Sequence, residues 1–146
     1  MLRATLPTFV LAALMIQSPK PFTRVASAMV SGFSEAAEMV LRDQAAVSNA
    51  WSTLANGVAG NPSPHVDFAR TILVLIALGP RSTGGHGIHA DSVVASGNDV
   101  VVHYTVTTPG RDCMTTQMMT SPVDVISIDR IKGDVRFKRR NVIGKC

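Results

Sequence analysis

Thr71-Ile72-Leu73-Val74-Leu75-Ile76-Ala77-Leu78 runs without a polar break after its first residue into Gly79-Pro80-Arg81-Ser82-Thr83-Gly84-Gly85-His86, and a second extended segment follows. Eight consecutive residues rich in β-branched and aliphatic side chains, closed by Gly-Pro, predict a strand buried on both faces. A half-solvated strand would alternate instead. A buried strand needs layers on both sides, so this stretch decides that the chain folds as stacked sheet and helix, with the glycine-rich turn displayed at one end.

Downstream the period of two persists. Val93-Val94 and Val100–Thr107 flank Gly97-Asn98, a pair suited to a tight hairpin turn. In the second arm Val100, Val102, Tyr104 and Val106 share one face, and Val101, His103 and Thr105 the other. Pro109-Gly110 ends it. Thr115–Met119 reads as a further Thr/Met-rich strand broken by Pro122, and Val123–Ile128 and Val135–Lys138 complete about seven strands.

Upstream, Glu38–Arg42 carries the short apolar run of an edge strand, and Asp43 is placed as an N-cap. Val47, Ala50, Trp51 and Leu54 recur at helical spacing before Asn56-Gly57, which predicts one helix over Gln44–Ala55 with Trp51 as its core anchor. Gly57–His65 is a loop. The fold class is therefore α+β, mostly antiparallel: a small β-sandwich or open barrel with one helix.

The N-terminal residues read as an export signal. Arg3 gives a positive start and Leu6–Ile16 is an apolar run shorter than the roughly 20 residues that span a bilayer. Ala26-Ser27-Ala28 is the cleavage candidate, which divides the chain into a leader over 1–28, an irregular lead-in over 29–37 and a single β-rich domain over 38–146. The alternative is an uncleaved tail. No cysteine follows the apolar run, so a lipid anchor is not expected, and the location implied is periplasmic or secreted. Three of the 14 Lys and Arg lie before residue 29, which leaves 11 against 10 acidic residues. The remaining cluster of Arg136, Lys138, Arg139 and Arg140 alternates around Phe137 as a strand end does. Nucleic-acid binding asks for a wider basic stripe with interleaved aromatics.

About 118 residues after Ala28 suffice for one core. Cys113 and Cys146 suit an oxidising compartment, where a disulfide between them would contribute roughly 3–4 kcal/mol in the chain-entropy view. Cys146, as the terminal residue, could equally fray unpaired.

No catalytic or cofactor constellation is complete in these residues. Gly79 and Gly84 have the spacing of the outer glycines of a P-loop, but Gly85 stands where its lysine belongs and His86 where its hydroxyl belongs, and a strand follows rather than a helix. His86 and His89 point to opposite faces of a strand, and no carboxylate completes a zinc site. There is no GxSxG elbow, and Cys113 has no His and Asn partners that the sequence identifies. No enzyme, cofactor or metal is expected.

Val66-Asp67-Phe68, the apolar strand to Gly79, Thr83-Gly84-Gly85, Pro109-Gly110 with Cys113, and Thr115-Thr116-Gln117 to Thr120-Ser121-Pro122 together resemble, in order, the PrcB C-terminal domain. The resemblance covers Asp67 to about Phe137. That family takes its name from an accessory subunit of a bacterial surface protease complex, so the resemblance implies protein binding or protease stabilisation without catalysis. Two positions depart from its pattern: His86 replaces an aromatic after Thr-Gly-Gly, and Val123 one after Ser-Pro. The partner-binding residues implied are Thr83, Gly84, Gly85 and His86, with Ser121 and Pro122 as neighbours, and the partner is a protein such as an exported protease. A chagasin-like peptidase inhibitor, plugging a cleft with loops of a β-sandwich, is the second reading.

Overall fold

The structure, a computed structural model, describes residues 17–55 and 62–146. Among them are eight strands and one helix: β1 (Ser18–Lys20), β2 (Phe22–Ala28), β3 (Ala37–Leu41), α1 (Gln44–Ala55), β4 (Thr71–Ala77), β5 (Gly87–Ser96), β6 (Asp99–Pro109), β7 (Val123–Asp129) and β8 (Val135–Gly144). They form two four-stranded sheets, ordered β1-β5-β6-β8 and β2-β7-β4-β3. All pairings are antiparallel except β6 with β8. The α+β sandwich with a single helix is thus the architecture found.

The unbroken apolar run of β4 is explained by two cores. Ile72, Val74, Ile76 and Leu78 face the opposite sheet, where they meet Val93, Val100, Val102, Tyr104 and Val106. Leu73, Leu75 and Ala77 face outward onto α1 and pack with Val47, Trp51 and Leu54. Burying a side chain of this kind contributes about 1.5–3 kcal/mol, so the central strand holds both layers at once. β3 is the edge strand beside β4, as its short apolar run predicts.

Asp43 caps α1: its carboxylate accepts the amide of Ala46 at 2.8 Å, and its carbonyl accepts that of Val47. The stop expected at Asn56-Gly57 lies outside the described residues. Gly97 and Asn98 close the β5–β6 hairpin with Gly97 at φ 63° and no left-handed Asn98, the pattern of a type II′ turn.

Two stretches take a form that the sequence did not announce. Ser18–Ala28, read as the end of a leader, forms β1 and β2, and β2 pairs along its length with β7. Cleavage after Ala28 would strip an edge strand from each sheet. The apolar run Leu6–Ile16 lies outside the described residues. Thr115–Met119, read as a strand, is irregular: only Gly84 pairs with Thr116 and Arg81 with Thr120, because no strand runs alongside to complete a ladder. β8, by contrast, extends well beyond Lys138 to Gly144.

The two sheets are tied by an ion pair whose carboxylate is buried and whose guanidinium reaches the surface. Asp124, with no exposed side-chain surface, receives Arg24 Nε at 2.7 Å and the backbone amide of Ala90 at 2.8 Å. Arg24 donates a second bond to the carbonyl of Ala90 at 3.1 Å. One carboxylate from β7 and one guanidinium from β2 therefore clamp β5. Their mutual hydrogen bond holds the Arg24 guanidinium above its ordinary pKa, with burial opposing. Bulges sit on both sides of the clamp, at Val25 in β2 and at Asp91 in β5, and re-aim the neighbouring side chains.

Candidate functional site

The turn after β4 is built by what packs on it. Gly79 lies at φ 77°, and a Cβ there would come within 2.8 Å of the backbone nitrogen of Ala36. Chain 110–121 then folds over the turn. Arg81 and Thr120 exchange backbone bonds at 2.7 and 2.9 Å, Gly84 donates to the carbonyl of Thr116 at 2.9 Å, and the Thr120 hydroxyl donates to the carbonyl of Thr83 at 2.8 Å. A Cβ on Gly84 would collide with the Thr116 hydroxyl. Gly85, at φ 83°, would bring its Cβ to 3.0 Å from Pro109. The glycines thus serve a close contact between two loops.

This arrangement redistributes the candidate contact residues. Thr83 and His86 are half-buried, Gly84 is buried and Gly85 is exposed. Ser121 and Pro122 lie inside. The Ser121 hydroxyl donates to the carbonyl of Phe33 at 2.9 Å, its own carbonyl accepts Ser31 Oγ at 2.7 Å, and the carbonyl of Pro122 accepts the amide of Leu78. They anchor the loop and present no side chain to a partner. Burial, with Arg81 nearby, pushes the His86 pKa below its ordinary value, and its buried Nδ1 has no partner among the described residues.

What the turn does not display, the covering loop does. Met114, Met118 and Met119 are exposed there, and Ile143 near the end of β8 is exposed as well. Cys113 and Cys146 are joined in the structure with Cα atoms 5.4 Å apart, which fastens the start of this loop to the chain beyond β8. Exposed methionines on a fastened loop make an apolar surface whose unbranched side chains adapt to a partner's shape. The run Met114-Thr-Thr-Gln-Met118-Met119 carries the signal in its sequence: with no alternation it suits neither face of a strand.

A second polar constellation crosses the open face of the β1-β5-β6-β8 sheet. Arg24 donates to His89 Nδ1 at 3.0 Å, His89 Nε2 stands 4.0 Å from Asp91, and Asp91 accepts the Thr105 hydroxyl at 2.6 Å. Arg140 donates to the same hydroxyl oxygen at 3.0 Å. The group superficially suggests a hydroxyl–histidine–carboxylate relay, but here the carboxylate faces the hydroxyl, and the imidazole nitrogen that a base would use already accepts from Arg24. Nothing in it activates Thr105 as a nucleophile. Among the described residues no cluster of three or more His, Cys, Asp or Glu is arranged to hold a metal ion.

Between the edge strands β3 and β8 the sandwich gapes into a cleft of about 370 Å³, lined by Ala37, Leu78, Ile88 and Phe137, with Glu38 and Arg139 at its mouth. Tyr104 donates to Glu38 at 2.6 Å, and burial together with that bond pushes its pKa up to about 12.

The family model described as PrcB C-terminal matches residues 72–129, the segment from β4 to the end of β7. The resemblance seen in the sequence is supported over that segment, which supplies two strands to each sheet. Neither a comparison with curated proteins nor one with solved structures gave a match.

Proposed function

With residues 72–129 matching the PrcB C-terminal model, we propose that the chain is an exported, non-enzymatic accessory domain that docks onto a protease complex and stabilises it. The observation that carries this reading is the fastened loop. A turn and a covering loop are locked by backbone hydrogen bonds and a disulfide, and the locked unit holds Met114, Met118 and Met119 out to solvent. An apolar surface held rigid in this way loses little conformational freedom on docking. Contact through the crown of the loop, flanked by the half-buried Thr83 and His86, replaces contact through the turn itself. The inhibitor reading would insert Thr83–His86 into a cleft; with Gly84 buried and Thr83 and His86 half-buried, that turn offers less to insert than the exposed methionines offer to a docking partner.

Export belongs to the same proposal, with the processing site placed N-terminal to Ser18 so that β1 and β2 stay in the mature protein. Capture from the native envelope fraction tests both halves. Wild-type chain is expected to co-purify with an exported protease, and to begin upstream of Ser18 when its N-terminus is sequenced. The variant with Met114, Met118 and Met119 changed to Ser is expected to fold normally and lose the protease. Retention by the triple variant overturns the loop surface, and a mature N-terminus at Met29 overturns the placement of the cut.

A further inference from the structure

β8 ends the β1-β5-β6-β8 sheet, and among the described residues it pairs only with β6. Along the other side of this ten-residue strand, Val135–Gly144, the backbone donors and acceptors are used by no described strand. Its two faces differ in chemistry. Arg136, Lys138 and Arg140 stand in register with Val101, His103 and Thr105 on the outer face. Phe137 and Arg139 stand in register with the buried Val102 and Tyr104, above the cleft between β3 and β8.

We infer that this edge takes up an extended segment of a partner protein by strand addition, and that the segment alternates acidic with apolar residues. Neighbouring strands place their side chains side by side on the same face, so alternate residues of an added strand fall beside Arg136, Lys138 and Arg140. Carboxylates suit those positions: Arg136 is committed to Asp99 at 3.2 Å and Arg140 to Thr105, while Lys138 makes no hydrogen bond or ion pair with a described residue. The intervening residues fall over Phe137, Arg139 and the cleft; its volume of about 370 Å³ and its apolar lining of Ala37, Leu78, Ile88 and Phe137 accept an apolar side chain beside Phe137, while Glu38, Tyr104 and Arg139 make up its polar side. A second copy of this chain is a poor occupant. Pairing β8 with itself would set four cations within five residues against four more, and like charges directly opposite destabilise a ladder.

This inference deepens the docking function proposed above, and its test is independent of any protease. The probe is a fluorescein-labelled decapeptide of alternating Glu and Val, titrated into the full chain. Two controls accompany it: the same composition with all Glu in one half, and the alternating peptide N-methylated at every second amide. The alternating peptide is expected to bind, both controls to bind at least tenfold more weakly, and the β8 amides to gain hydrogen-exchange protection in the complex. Lys138→Glu should weaken binding by about tenfold, as expected for a reversed charge contact at an interface. The exchange measurement on the wild type keeps the test decisive should that variant fold poorly. Equal binding of the block peptide or the N-methylated peptide, or of a single-stranded oligonucleotide, would overturn the inference by showing a diffuse anion surface. A chain that captures a protease yet ignores the peptide loses this edge and keeps its accessory role. One that binds the peptide and captures no protease keeps the edge and loses that role.

Discussion

The two sheets of this molecule contain the same number of strands and live in different environments. The β2-β7-β4-β3 sheet is covered on both sides, by α1 outside and by the other sheet inside. Among the described residues the β1-β5-β6-β8 sheet is covered on its inner side only, and its outer face carries His89, His103 and the cations of β8 among half-buried and exposed positions. The first sheet is held by apolar burial and has little surface left to offer. The second can change its outer residues at small cost in stability, so recognition has room to act there and on the loop fastened at its end.

The comparison breaks most directly at the helix. Trp51 is 6 % exposed and packs α1 onto β4. Trp51→Ala should lower unfolding stability by about 3–5 kcal/mol in urea titration; a loss under about 1 kcal/mol would mean that the helix does not support the sheet.

At the loop lock the expected effect is intermediate. Gly85→Ala forces a side chain into φ 83° and against Pro109, a strain of about 1–3 kcal/mol that should appear as a lower urea midpoint with an unchanged slope. An unchanged midpoint would show that the loop moves aside freely and is not locked.

A smaller effect is expected from pH. His86 has its pKa lowered, chiefly by burial and then by Arg81, whereas the unfolded chain takes up the proton near pH 6.5. Its contribution is therefore fully present above about pH 6.5 and is lost as pH falls toward the folded value. His86→Asn should flatten this part of the stability profile, and identical acid slopes in the two proteins would contradict the burial of the ring.

The smallest effect belongs to the bare face. His103→Ala should change stability by no more than about 0.5 kcal/mol, and a larger loss in the same titration would show that the face is covered after all.

Much of the buried framework was legible because burial writes itself into sequence. β4 is apolar throughout, α1 shows its stripe and its Asp43 cap, and the β5–β6 hairpin is announced by Gly97-Asn98. β2 was not legible. Phe22-Thr-Arg-Val-Ala-Ser-Ala lies on an edge, alternates weakly and follows an apolar run, so it reads as the tail of a leader. The clue stood far away: a lone carboxylate, Asp124, within Val123–Ile128 requires a cation as partner, and Arg24, reaching in from an exposed position, supplies it. β8 was cut short at Lys138 because the charges that protect an edge also hide it. At the candidate site the glycines were seen but their purpose was not. Four glycine, threonine and histidine residues in a turn do not say whether water or another loop lies on top, and here Pro109 and Thr116 do.

The clamp between Arg24 and Asp124 joins positions 100 residues apart. A chain emerging from its N-terminus at about 5–20 residues per second holds β2 in solution for on the order of 5–20 s before β7 exists to receive it. Helix α1 and the β5–β6 hairpin can form during that delay, but the sandwich cannot close, and the guanidinium waits with an unpaired strand around it. Capture of β2 by β7 is therefore held back until most of the chain has been made, and only β8 follows. An unsatisfied edge during synthesis invites either a wrong neighbour or a holding chaperone, and the same long-range junction that makes the finished domain a single unit sets the period in which it is most exposed to misassembly.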